Sequence, residues 1–282
     1  MAVIIVKLLL MRFFLLACFA SLAGMATFAQ TVHPSLPAVK HKTVVIAHRG
    51  DHVNFPENTL EAYNSAIKAG VDYIETDLRT TADSGQVIMH HASVDRMTNG
   101  KGNVADLTYD KITSLTIPDD AHHKKYHVPS FKEVLLACRG KVNVYLDFKE
   151  ADVNMTWRMI KALHMEQQVV VYPNTIAQFK EWRKLAPEMP LVANVPDTIK
   201  DAPALNAFLD EYPAAAVNGS IGQYTPEMLA VFKNRGVAVW LDVEANDEGP
   251  AIWSKALDAG VPGVQTDYPA ACTHYLAQQH AR

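Results

Sequence analysis

Val44-Val45-Ile46-Ala47-His48-Arg49-Gly50, then an amphipathic stretch at 59–69, then Tyr73-Ile74-Glu75-Thr76-Asp77: this order decides the fold. A short β-branched run ends in polar residues, a segment of helical length follows, and a second run ends in two acids. The same unit repeats to the end of the chain. Runs with strand character lie at Val44–Ala47, Tyr73–Asp77, Val142–Phe148, Val169–Tyr172, Leu191–Asn194, Ala214–Asn218, Val237–Asp242 and Gly263–Thr266. Helical spacing falls at 59–69, 130–139, 153–164, 175–185, 202–211, 226–235, 249–259 and 269–280. Eight strands, each followed by a helix, predict an α/β chain closed into a TIM (β/α)8 barrel.

The first helix illustrates the pattern. Asn58 is placed to cap it, with Glu61 three residues on completing a capping box. Leu60, Tyr63 and Ile67 share one face, and Gly70 stands where a helix stops. Residues 79–129 break the alternation. They contain a strand-like Gln86–His90, turn signals at Asp83-Ser84-Gly85 and Asn99-Gly100, and the polar stretch His122–Tyr126. They are expected to form a small insertion after the second strand, folded over the barrel mouth.

Composition sets the outer limits. The chain has 282 residues, 49% hydrophobic and 20% charged, which supplies one large core, and single barrels of this kind occupy about 250 residues. A formal charge of −4 with no basic block excludes nucleic acid as the main partner. Residues 1–29 read as an export signal: Lys7 and Arg12 precede the apolar run Phe13–Gly24, and Thr27-Phe28-Ala29 offers small residues for cleavage. Met11 is the more conventional start of such a signal, and Cys18 sits inside the apolar run rather than at its end, which disfavours lipidation. A linker over 30–42 and one domain over 43–282 follow, without stable membrane insertion once the signal is removed. The mature protein is expected to be exported, periplasmic or secreted. Its remaining cysteines, Cys138 and Cys272, match no metal spacing and read as small buried residues.

The chemistry gathers at the C-terminal ends of the expected strands, where barrels carry their active sites. Glu75 and Asp77 are two apart on one strand and point to the same face. Asp147 ends the next barrel strand, and Lys149 follows it. Three converging carboxylates repel one another unless a proton or cation lies between them. An all-oxygen set suits Ca²⁺ or Mg²⁺ better than zinc. The plainer reading pairs these acids with Arg49, Arg79 or Lys149 as ordinary salt bridges, and spacing alone leaves both open. His48 and His90 end strand-like runs, and histidine serves as base or acid near neutrality. Arg49 and Lys149 are suited to neutralising phosphate oxygens. His122, His123 and His280 read as solvated surface residues. Glu57 also reads as a helix N-terminal acid. Trp240, at a strand end, fits either the barrel core or a substrate-lining position.

Taken together, Ala47-His48-Arg49-Gly50, Pro56-Glu57-Asn58-Thr59, Glu75-Thr76-Asp77, Val87-Ile88-Met89-His90 and Asp95-Arg96-Met97-Thr98-Asn99-Gly100 resemble the opening of the glycerophosphodiester phosphodiesterase family. The similarity resumes at Val128-Pro129-Ser130-Phe131-Lys132-Glu133-Val134-Leu135 and at 142–149. It continues more thinly through Val217-Asn218, Trp240 and Thr266-Asp267-Tyr268-Pro269. The resemblance implies a TIM barrel with an insertion after the second strand. It implies one divalent cation on Glu75, Asp77 and Asp147, with His48 and His90 as general acid and base. It further implies phosphate or substrate positions at Arg49, Glu57, Lys149 and Trp240.

The reaction so implied is hydrolysis of a small-molecule glycerophosphodiester to sn-glycerol 3-phosphate and an alcohol. Its alternatives are a phospholipase C- or D-like enzyme on intact lipid and a non-catalytic binder of the same diesters. Three departures stand out. His91 replaces an aspartate, Asp147 replaces a glutamate, and Leu241-Asp242-Val243 replaces Thr-Val-Asn, with Glu244, Asp247 and Glu248 close behind. The last change suggests an acidic rim and a cationic alcohol such as choline or ethanolamine.

Overall fold

The computed structural model describes residues 34–282. The expected leader, with Cys18, lies outside the described residues. In chain order come β1 (Val44–Ala47), α1 (Leu60–Lys68) and β2 (Tyr73–Thr80), then an excursion holding β3 (Gln86–Ile88), a 3-10 turn at Val104–Asp106, α2 (Tyr109–Thr113), β4 (Thr116–Asp119) and β5 (Lys124–His127). The alternation resumes with α3 (Phe131–Cys138), β6 (Asn143–Phe148), α4 (Val153–Ala162), β7 (Val169–Pro173), α5 (Ile176–Leu185) and β8 (Val192–Asn194). It ends with α6 (Ala202–Glu211), β9 (Ala216–Ser220), α7 (Pro226–Arg235), β10 (Ala238–Asp242), α8 (Pro250–Asp258), β11 (Gly263–Thr266) and α9 (Pro269–Gln278).

Eight parallel strands stand in the order β7-β6-β2-β1-β11-β10-β9-β8, and a single bridge between Val171 and Leu191 joins the two ends. The expected barrel is therefore present, with one weak seam. Strand β9 starts at Ala216 rather than Ala214, because its ladders to β8 and β10 begin only there.

Alternation along the strands makes two cores. Outward residues such as Val45, Ala47, Leu146 and Val171 pack against the helices, with Trp182 and Phe232 among them. Inward residues Val44, Ile46, Tyr73, Tyr145, Val170, Val192, Ala216 and Trp240 fill the barrel floor. Trp240 is 2% exposed and its ring lies 5.2 Å from that of Tyr73 and 5.9 Å from that of Tyr145. Of its two expected places it occupies the barrel core, and its register with Asn218 and Gly263 sets it one inward layer below Asp242.

The stretch 30–42 is no free linker over its described part. Leu36 packs on the floor cluster, Tyr73 Oη donates to Pro37 O at 3.3 Å, and Asn143 Nδ2 donates to Ala38 O at 2.9 Å. The excursion after β2 begins with β3 pairing antiparallel to β2, and it has its own core of Val87, Met89, Val94, Val104, Ile112, Leu115, Ile117 and Val128. His122, at its hairpin turn, is exposed as expected, and it also stacks on Phe55 of the β1–α1 loop with ring centres 5.1 Å apart and pairs with Asp119. Cys138 and Cys272 are both buried and unbridged. Among the described residues no helix is long and apolar enough to cross a membrane.

Candidate active site

The turn leaving β1 is strained where the site begins. Arg49 has φ +53 and Gly50 φ +81, and a Cβ on Gly50 would meet the Ala62 carbonyl carbon at 2.8 Å. Only glycine lets α1 approach so closely. Asn58 is also left-handed, at φ +59. It does not cap α1 as expected. Thr59 does, accepting from Ala62 N. Asn58 instead turns inward, donating to Asp77 Oδ2 at 2.7 Å and accepting from Tyr63 Oη at 2.7 Å. Strain of this kind persists where surrounding contacts over-determine it.

Glu75, Asp77 and Asp147 converge as their spacing predicted: one oxygen from each lies within 4.8 Å of the others. Asp77 and Asp147 are paired in register across β2 and β6. The shorter side chain at 147 therefore still reaches the cluster. Burial pushes the Glu75 carboxyl well up, and the charges of Asp77 and Asp147 add to this. Asp147 is raised for the same reasons, burial first and then Asp77. Arg49 N donates to Glu75 Oε2 at 2.7 Å, and Asn174 Nδ2 donates to Asp147 Oδ1. Lys149 Nζ pairs with Asp147 and lies 3.2 Å from Asp77 Oδ1. The buried Asp77 Oδ1 makes no hydrogen bond of good geometry. The salt-bridge reading of the acids is observed for Lys149 and Arg49, and the cation reading rests on the donor set alone. Lys149 and Arg49 pair with Asp77, Lys149 also pairs with Asp147, and the three carboxylates form an all-oxygen set of the kind that fits a hard divalent cation.

His90 stands at the end of the β3 segment, where Met89 N donates to Asp77 O at 2.9 Å. Burial lowers its pKa to about 4, against the pull of Asp77 and with help from Arg49 and Lys149. Its Nδ1 has no partner. His91 is exposed, its ring 5.0 Å from that of His90, and accepts from Arg96. The third expected pairing cation, Arg79, does not touch the acids. Its guanidinium donates to Met89 O at 3.0 Å and His90 O at 2.7 Å, fixing the histidine's backbone. Glu57 is held between Arg49 and Arg96, which orients these two guanidiniums.

On the other side of β1, His48 Nδ1 lies 2.6 Å from Asp267 Oδ1, and His52 Nε2 lies 2.8 Å from the same oxygen. Asp267 is held in turn. Its backbone N–H donates to Glu248 Oε2 at 3.0 Å, and Glu248 also accepts from Trp253 and Thr266. The expected acidic rim therefore divides. Glu248 is a support for Asp267, Asp247 is exposed, and Asp242 and Glu244 face the mouth. Burial raises Asp242 to about 6, and raises Glu244 well above the usual carboxylate range with Asp242 adding to it.

A TIM barrel that carries an oxygen-donor cluster, flanking histidines and the cations Arg49 and Lys149 at the ends of its strands has the groups that phosphodiester cleavage requires. The chain belongs to the glycerophosphoryl diester phosphodiesterase family, whose model matches residues 48–271. It is 29% identical over 238 residues to the glycerophosphodiester phosphodiesterase of Caldanaerobacter subterraneus subsp. tengcongensis, covering 81% of this chain and 95% of that one. A Bacillus subtilis enzyme of the same name is also 29% identical, over 252 residues, covering 81% and 84%. Among solved structures, a glycerophosphodiester phosphodiesterase from Agrobacterium tumefaciens superposes with a TM-score of 0.75 at 23% identity, over 82% of this chain and 99% of the other. An Oleispira antarctica phosphodiesterase in complex with sn-glycerol-3-phosphate gives 0.73 at 20% identity, over 83% and 96%. These two likenesses show the fold.

Proposed function

We propose that the protein hydrolyses glycerophosphodiesters to sn-glycerol 3-phosphate and an alcohol, with Glu75, Asp77 and Asp147 holding one Ca²⁺ or Mg²⁺. The observation that carries this is the convergence of three carboxylate oxygens beside His90, with His48 just past the end of the neighbouring strand. When bound, the cation supplies charge stabilisation to the phosphate and acidifies the attacking oxygen. Arg49 and Lys149 neutralise the non-bridging oxygens. The glycerol hydroxyl next to the diester attacks phosphorus as the bond to the alcohol oxygen breaks. One histidine takes the proton of the attacking hydroxyl, and the other gives a proton to the departing alkoxide. Water then opens the cyclic phosphate with the roles reversed. Asp267 steadies the imidazolium of His48 whichever way its proton moves.

The test is glycerol 3-phosphate release from glycerophosphocholine in Ca²⁺, in Mg²⁺ and in EDTA, beside a His48→Ala control. Product that vanishes in EDTA and in the variant is expected. Undiminished product in EDTA would remove the cation from the proposal. Export remains part of it on the strength of residues 1–29, and N-terminal sequencing of the mature chain checks the cleavage after Ala29.

A further inference from the structure

The turn that leaves β1 gathers a second set of metal-ligating groups, different in kind from the acid cluster. His48 and His52 are four residues apart, and the left-handed Arg49 and Gly50 between them fold the chain back. Both rings thereby meet Asp267, just past the end of β11. His52 is held by the turn that follows, where Phe55 N donates to Asp51 O at 3.1 Å and Asn54 Nδ2 to Asp51 Oδ2 at 3.0 Å. One donor atom each from His48, His52 and Asp267 lies within 4.8 Å of the others. A fourth donor stands close by. Glu244 Oε1, in the loop after β10, is 3.7 Å from His48 Nδ1, buried, and without a hydrogen-bond partner.

The chemistry of this set selects its ion. Lys149 sits among the acids of the first cluster, whereas the ion pairs of Asp267 and Glu244 among the described residues are with histidine. Two imidazole nitrogens and two carboxylates suit a tetrahedral Zn²⁺-like ion better than the hard Ca²⁺ or Mg²⁺. Ligands of such an ion stand about 3.3 Å apart, at bonds of about 2.0–2.1 Å. The His48–Asp267 and His52–Asp267 contacts, 2.6 and 2.8 Å, need to open by less than about 1 Å to reach that spacing. His48, His52 and Asp267 are all part-exposed, so an ion enters without unfolding.

We propose that His48 Nδ1, His52 Nε2, Asp267 and Glu244 form a second metal site, for Zn²⁺ or a similar borderline divalent ion, and that filling it switches turnover off. An ion on Nδ1 forces the one remaining ring proton of His48 onto Nε2. That nitrogen then accepts no proton from an attacking hydroxyl. Without the imidazolium it has no acidic proton to give a departing alkoxide. Binding stands on the geometry alone, and the loss of turnover rests on the phosphodiesterase reading above.

The experiment keeps the full chain in excess Ca²⁺ and Mg²⁺, which compete for the acid cluster, and titrates Co²⁺ as a visible probe of a four-coordinate nitrogen–oxygen site. One equivalent is expected to give an intense d–d band that Zn²⁺ bleaches. His52→Ala, with circular dichroism reporting its fold, should weaken Co²⁺ binding by roughly 10–100-fold or more. Glu75→Gln, in the other cluster, should keep the band. Choline release from glycerophosphocholine should fall as Zn²⁺ is added. His52→Ala, compared with its own zinc-free rate, should need at least about tenfold more Zn²⁺ for the same fall. No band, a band that survives His52→Ala, or one lost in Glu75→Gln overturns the site. A band without loss of turnover overturns the switch. Absence of choline release before any Zn²⁺ is added overturns the phosphodiesterase reading instead, while the absorption still decides the site.

Discussion

At the scale of single residues, the supports matter as much as the groups they hold. Asp267 fixes the ring of His48, and Glu248 fixes Asp267 from behind. Burial alone would raise the Asp267 carboxyl, but hydrogen bonds and charge from His48 and His52 hold it well below the usual range. Between that value and the unfolded value of about 3.9 the unfolded chain binds more protons. This contribution to stability is therefore complete above about pH 4 and fades as pH falls below it. Asp267→Asn should remove that acid-side slope in urea titrations. It should also lower kcat by roughly 10²–10⁴-fold while KM changes little, as expected when an orienting carboxylate is lost. A pH-rate profile for the variant that matches the wild type would deny Asp267 a positioning role. The acids Glu75 and Asp77 were legible because two-residue spacing on a strand forces one face. The pairing of His48 with Asp267 was not, since 219 positions separate them and only barrel closure brings β1 beside β11.

At the scale of elements, the strands read clearly because parallel strands buried on both faces appear as unbroken apolar runs. Capping was misread by one residue: Asn58 carries a left-handed backbone that nothing in its neighbours announces, and Thr59 takes the cap. Trp240 shows the limit of reading a strand end, since its height in the barrel depends on stagger between strands rather than on its own run. Its place in the floor predicts that Trp240→Ala costs about 3–5 kcal/mol in urea unfolding, as for other large buried aromatics. The milder Trp240→Phe should leave KM for glycerophosphocholine unchanged. A KM shift with unaltered stability would return Trp240 to the substrate pocket.

For the whole molecule, burying the site acids is costly, and Lys149 and Arg49 offset part of that cost. Ca²⁺ or Mg²⁺ at a hundred times its dissociation constant should add about 2.7 kcal/mol. For a chain of this size that is a rise in Tm of roughly 5–11 °C, read by scanning calorimetry against an EDTA control. Asp77→Asn should shrink the rise, and an equal rise in that variant would place the ion elsewhere. The docking of residues 36–38 on the barrel floor escaped sequence reading because an extended stretch of mixed polarity has no period to detect.

That docking has a further consequence. Thr43 N donates to Ala281 O at 3.1 Å, and Arg282 reaches Gly70 O at 2.6 Å and Asp72 Oδ2 at 3.0 Å, so the entry to β1 and the last residues of the chain meet on the side away from the mouth. A fusion partner, affinity handle or surface linkage attached after Arg282 starts from the underside of the barrel, and leaves the opening facing outward to whatever diffuses past.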